Sequence, residues 1–157
     1  MAQATRATRA LAAAGVPFSV HAYDYDPAAE SIGQAAAAAL GVPPGEVFKT
    51  LMVLADGKPA CVIAPSHGEV AMKRVAAALG AKAATMMAPA AAERLSGYRI
   101  GGISPFGQTR RIPAVIDASA FDGDAIFLNG GQRGLQVHLS PAEAQRVTGA
   151  VRATVRA

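Results

Sequence analysis

Apolar positions along this chain fall into short blocks whose period changes from one to the next. Residues 47–55 and 60–64 are nearly continuous apolar runs of strand length, joined across Asp56-Gly57, a pair that suits a two-residue hairpin turn. Further strands are predicted at 18–22, 114–117, 125–128 and 135–139, between Gly- and Asp-rich turns. Helices are predicted where alanine accumulates, because alanine is the best intrinsic helix former. The first covers 4–14 and stops at Gly15 and Pro17. The second, 35–40, follows the capping pattern Ser31-Ile-Gly-Gln34 and ends at Gly41. A third spans 69–79 before Gly80, and a fourth spans 89–95 with Pro89 at its first position. The last opens at the capping pattern Ser140-Pro-Ala-Glu143 and runs to about Val147. This order is neither regular βα alternation nor all-β, so one α+β domain over 1–157 is expected.

Composition qualifies the apparent hydrophobicity. The chain is 52% hydrophobic by residue type, but 38 of its 157 residues are alanine, which buries little area. Alanine is absent from 40–54 and from 93–113, so those segments stand apart from the background. No window approaches the ~18 apolar residues of a membrane span, and the N-terminus lacks the apolar core of a signal peptide. A single cysteine, Cys61, excludes an internal disulfide and a thiolate cluster. The cytoplasm is the expected compartment, with no membrane partner. A net charge of +4 is compatible with a polyanionic partner without requiring one.

Three features could carry chemistry. Lys49 lies within the run 47–55, where period two sets Val47, Lys49, Leu51 and Val53 on one face and Phe48, Thr50, Met52 and Leu54 on the other. Both faces are mostly apolar, so the strand is expected to be central. An ammonium on it either snorkels to water or waits at a pocket mouth for an anionic or carbonyl group. The second feature is Gly101-Gly102-Ile103-Ser104-Pro105-Phe106-Gly107, whose glycines let backbone N–H groups approach a ligand, unless the segment is an ordinary wide turn. Such donors can stabilise negative charge growing on a carbonyl oxygen. The third is a set of arginines on glycine-rich backbone, Arg110-Arg111 and Arg133, suited to phosphate contact or to plain surface solvation.

Other residues read more blandly. His21, His67 and His138 lack metal-ligand spacing, and Ser66 and Ser104 lack a nucleophile elbow. Asp24, Asp26 and Glu30 fit turn chemistry better than a catalytic carboxylate pair, and Cys61 fits the core. No metal and no cofactor are expected.

Val47-Phe-Lys-Thr-Leu51, Ser96-Gly-Tyr-Arg-Ile-Gly-Gly-Ile-Ser-Pro-Phe-Gly-Gln108 and Gly130-Gly-Gln-Arg-Gly-Leu135, in this order, resemble the YbaK/EbsC family, free-standing relatives of the editing domain of prolyl-tRNA synthetase. The likeness runs nearly end to end and includes His21-Ala-Tyr23, Lys73–Gly80 and Arg111–Asp117. It implies a mixed, barrel-like sheet flanked by helices. It also implies hydrolysis of the ester joining a wrong amino acid to tRNA, typically the proline acceptor, with prolyl-tRNA synthetase as a possible partner. By this resemblance Lys49 is the essential cation near the scissile ester, and Gly101 opens the loop that faces the substrate. Tyr23 and Ile32 line the pocket, with Gly102, Ser104, Pro105, Asn129, Arg133 and Gln136 as further substrate-binding positions. Cysteine-clearing members carry Ser at the position of Asn129 and Asp at that of Gln136. The cargo is therefore open among cysteine, alanine, serine and threonine, and the attacking group is either water or a substrate thiol. Two other classes remain: a non-catalytic module binding tRNA or synthetase, and a lysine Schiff-base enzyme.

Overall fold

The hairpin at Asp56-Gly57 organises the molecule. Both turn residues adopt positive φ (49° and 78°), the geometry that matches strand twist in a two-residue loop. It joins β2 (Phe48–Ala55) to β3 (Lys58–Pro65), paired antiparallel over their whole lengths. The computed structural model describes residues 4–29 and 32–157. Among these, the helices are α1 (Arg6–Ala13), α2 (Ile32–Leu40), α3 (Met72–Ala78), α4 (Pro89–Ser96) and α5 (Pro141–Thr148). The remaining strands are β1 (Ser19–Ala22), β4 (Ala84–Met86), β5 (Ala114–Asp117), β6 (Ile126–Asn129), β7 (Leu135–Leu139) and β8 (Val151–Ala153).

The strands form a mixed five-stranded sheet, β4-β2-β3-β5-β8, and a three-stranded sheet, β1-β7-β6. One parallel bridge, Val47 to Phe127, links them. The α+β class stands, but the sheet does not close into a barrel: β1 and β8 remain edge strands among the described residues. β4 and β8 go beyond the sequence expectation, since a three-residue strand carries too little alternation to be read. α3 begins at Met72 rather than at 69. Ser31 of the α2 capping pattern lies outside the described residues. At α5, Ser140 accepts from the Glu143 N–H (3.4 Å), but the Glu143 carboxylate turns to Arg146 (2.6 Å), so only half of the predicted box forms. A capping box absent from the sequence reading starts α1, between Thr5 and Thr8.

Period two holds along β2. Phe48 and Met52 join the larger core cluster with Leu11, Ala92, Leu128 and Val137. Val53, with Leu51 against it, packs on Val75 and Ala76 of α3. A third cluster sets Ala36 and Ala37 of α2 against Val47 and Phe127. The alanine-rich helices thus cover both faces of the central strands. Cys61 is buried, and burial pushes its thiol up to about 12, as befits a core residue.

Candidate functional site

The site lies where the two sheets part. The Ser66 N–H donates to the Val47 carbonyl (2.8 Å), which sets Val47, Lys49 and Leu51 as the residues hydrogen-bonded to β3. Phe48, Thr50 and Met52 therefore turn their main-chain groups to the opposite edge. At one end of that edge Phe127 bridges Val47, and at the other the Met52 carbonyl accepts from the Met87 N–H (3.0 Å). Between these points β2 has no neighbouring strand, and a cavity of about 300 Å³ opens there. Because it opens at a strand edge, residues from both faces of β2 line it, including Lys49 and Thr50. Met52, Met87, Ile103, Asn129 and Gln136 also line it. Two of the few large apolar side chains left exposed, Met86 (53%) and Ile100 (41%), stand on its walls.

Lys49 is half-buried, and its Nζ donates to the Gly68 carbonyl (3.1 Å). Burial lowers its pKa below the ordinary lysine value, while Glu69 pulls the other way. Its hydrogen-bond partner is a neutral carbonyl, so the ammonium can engage a second, electron-rich group.

Gly101 reaches the cavity on a backbone that only glycine adopts freely. Its φ is +88°, and a Cβ there would lie 2.5 Å from the Tyr25 hydroxyl. No hydrogen bond from its N–H exists among the described residues, so that donor is free. The Gly102 N–H, by contrast, is used by the Arg99 carbonyl (2.8 Å), and a Cβ on Gly102 would crowd Arg133 N (2.9 Å). Asn129 binds the loop to its neighbour. Its Nδ2 donates to the Gly101 carbonyl (3.1 Å), and its Oδ1 accepts from the N–H groups of Gly131 (2.7 Å) and Gln132 (3.2 Å). Tyr98 fixes the far end: its hydroxyl donates to the Phe106 carbonyl, and burial pushes the phenol up to about 12.

The other expected site residues divide. Gln136 and Asn129 sit opposite each other on β7 and β6 and reach the cavity with Lys49 and Gly101. Tyr23 stands behind Gln136. Burial raises its phenol, an effect that the Gln136 amide and the Gly134 backbone partly offset. Ser104 is fully buried inside the loop, where its Oγ accepts from the Phe106 N–H (3.2 Å). Pro105 lines a separate depression with Arg110 and Arg111, so neither it nor Ser104 is among the cavity's wall residues. Arg133 is exposed at the rim, its Nε donating to the Ile100 carbonyl (2.9 Å) and its guanidinium 5.3 Å from the Tyr25 ring centre. Ile32 opens α2, but its side chain lies outside those described, as does Glu30. Asp26 caps a turn by accepting from the Ala28 N–H (2.9 Å). Met86, Met87, Ile100, Thr50 and Tyr25 were not expected at the site. The adjacent Met86-Met87 pair ahead of Pro89 was the available signal, since methionines suit adaptable binding walls.

No group of three or more His, Cys, Asp or Glu among the described residues could hold a metal ion. No helix among them is long and apolar enough to cross a membrane. The site offers an ammonium, the free N–H of Gly101 and an apolar enclosure, a set able to polarise a carbonyl without a protein nucleophile.

Comparison with known proteins adds to this. Residues 26–147 match the family described as the aminoacyl-tRNA editing domain. A protein of Enterococcus faecalis named for Cys-tRNA(Pro)/Cys-tRNA(Cys) deacylation, EbsC, is 30% identical over 143 residues, covering 88% of this chain and 85% of that one. Among solved structures, the hypothetical protein APE2540 superposes with a TM-score of 0.85 at 25% identity, over 98% of this chain and 100% of the other. Another, described as a trans-editing enzyme for prolyl-tRNA synthetase, gives a TM-score of 0.81 at 21% identity over 99% of each chain.

Proposed function

This chain belongs to the aminoacyl-tRNA editing domain family, and from that premise we propose that it is a trans-acting deacylase that clears small, wrongly attached amino acids from tRNA, the proline acceptor first among them. The observation that carries this reading is that Lys49 and Gly101, whose N–H has no partner among the described residues, line one largely apolar cavity. An ester carbonyl held there gains negative charge on its oxygen as it is attacked, and a preorganised N–H and a half-desolvated ammonium stabilise that charge. The ester is intrinsically reactive, so positioning plus polarisation suffices. Water, or the thiol of a cysteinyl substrate, is the attacking group, and the free 3′ end of the tRNA leaves. The biological need is physical too: a synthetase pocket gains only about 1–3 kcal/mol from one methylene, too little to reject smaller amino acids reliably. The relative EbsC supports cysteine as one cargo, while Asn129 and Gln136 leave alanine, serine and threonine in contention. The cytoplasm and prolyl-tRNA synthetase are the setting and partner that this activity implies. The test is Lys49→Ala, which should lose deacylation of mischarged tRNA(Pro) while keeping its fold; unchanged ester hydrolysis would refute the assignment.

A second reading starts from the half-buried Lys49 at the cavity, whose ammonium burial disfavours, as a Schiff-base enzyme also requires. Borohydride trapping of a covalent adduct on Lys49 decides between them.

A further inference from the structure

Four polar residues are among those described that line the cavity: Lys49, Thr50, Asn129 and Gln136. Asn129 spends its carbonyl oxygen on two backbone N–H groups, and Lys49 donates to Gly68. The other two are unmatched. Gln136 Oε1 and Thr50 Oγ1 are buried with no hydrogen-bond partner, as is the hydroxyl of Tyr23, whose phenol the Gln136 amide influences, and Gln136 as a residue is 4% exposed. A buried acceptor without a donor is unfavourable by about 1–3 kcal/mol, so it marks a place that a ligand group completes. Among the described residues no carboxylate lines the cavity, and Lys49 carries the one charge.

Resting on the deacylase reading, we propose that Gln136 is the specificity-determining residue that reads the substrate's α-amino group, and that it accepts that group as a neutral amine. An acyl group with a positive charge meets here only a neutral amide oxygen and a lysine of the same sign. A neutral amine donates to Gln136 Oε1 and keeps a lone pair for a hydroxyl such as that of Thr50, which an ammonium lacks. The substrate class follows as esters of uncharged, small amino acids in their free-amine form. An α-amino group titrates near neutrality, about 7.7–8.0 at a chain terminus, and lower beside an ester, so this form is available at physiological pH.

Among the described residues, the titratable and charged groups around this end of the cavity are Lys49 of β2 with Glu69 beside it, His21 of β1, Tyr23 just after that strand, and His138 of β7. His21 is the cross-strand partner of Gln136. Tyr25 and Arg133 stand at the rim, and Glu93 of α4 accepts from the Ile100 N–H. Burial and the neighbouring His21 lower the His138 pKa, so the substrate must be varied as well as the enzyme.

The experiment compares the most rapidly cleared aminoacyl-tRNA(Pro) with its deamino counterpart (alanyl with propionyl, for example). Wild type and Gln136→Glu are each assayed across pH 5.5–9, and rates are normalised to the hydroxide-catalysed hydrolysis of each ester. The wild type should lose about tenfold in normalised kcat/KM without the amine. Its acidic limb with the aminoacyl ester should follow the substrate amine and be missing with the deamino ester. Gln136→Glu should accept the ammonium form and move that limb down by about one pH unit or more. Equal turnover of both esters, a limb shared by both, or a limb that stays in place in Gln136→Glu would each overturn the inference while leaving the deacylase reading intact. Hydrolysis of neither ester overturns both. Were Gln136 only an anchor for Tyr23, its substitution would change stability without altering discrimination between the two esters.

Discussion

Gly101→Ala tests how the loop meets the cavity, because two physical effects act there and can be separated. The first is backbone conformation: a φ of +88° is strained for any residue with a Cβ, which costs about 1–3 kcal/mol. The second is crowding, since the new Cβ would sit 2.5 Å from the Tyr25 hydroxyl and 3.2 Å from its ring carbons. Tyr25 meets it with the far end of a side chain at the rim, which can swing aside at the expense of its contact with Arg133. Conformation should therefore dominate. A loss of about 2 kcal/mol corresponds to a Tm lowered by about 4–8 °C in a domain of this size. Adding Tyr25→Ala should recover little, leaving a coupling within about 0.5 kcal/mol in a double-mutant cycle. Deacylation should fall further than stability does, by about 100-fold, because a displacement of 1 Å in a positioning group has that effect. Circular-dichroism melting and single-turnover deacylation read the two quantities. An unchanged Tm would refute the backbone argument, and full rescue by Tyr25→Ala would make crowding the cause.

Three further outcomes are expected. Asn129→Ala strips partners from the Gly101 carbonyl and from the Gly131 and Gln132 N–H groups, so urea unfolding should show a loss of about 1–3 kcal/mol, with kcat falling more than KM rises. Burial sets the Lys49 pKa below its ordinary value and Glu69 opposes this, so the alkaline limb of kcat should lie below 10.5 and move lower still in Glu69→Gln; a limb moving upward would contradict the assignment. Burial alone would raise the Asp117 pKa, but hydrogen bonds from Ser119 and from the Val155 and Arg156 N–H groups hold it below the ordinary carboxylate value. Its contribution should be complete above the unfolded value of ~3.9 and be lost as pH falls through the folded one, so Asp117→Asn should lower stability at pH 7 and flatten the decline below about pH 4.

Helix positions and the central hairpin were legible in the sequence because glycine, proline and an Asp-Gly turn punctuate them. Lys49 and the Gly101 loop were legible as candidate chemistry because an ammonium in an apolar strand and three glycines in seven residues both need a reason, and the structure sets both residues on one cavity. The split between the sheets was not legible. It depends on Val47 bridging Phe127, a contact across 80 residues, and on β4, too short to show alternation. Since the cavity is that split, Met86, Met87 and Ile100 could not be assigned to it from local pattern. Ser104 shows the converse limit: its position in the loop suggested a ligand contact, but its hydroxyl holds the turn from inside. The free N–H of Gly101 and the occupied one of Gly102 have identical sequence signatures, and only the Arg99 turn separates them.

Deacylation of tRNA(Pro) charged separately with cysteine, alanine, serine, threonine and proline, by wild type and by Lys49→Ala, tests the central claim most directly. The wild type should release at least one of the four small amino acids well above the buffer rate and spare proline, and Lys49→Ala should release none. Release of nothing by the wild type, or equal release by the two proteins, would contradict an editing site built on Lys49 and Gly101.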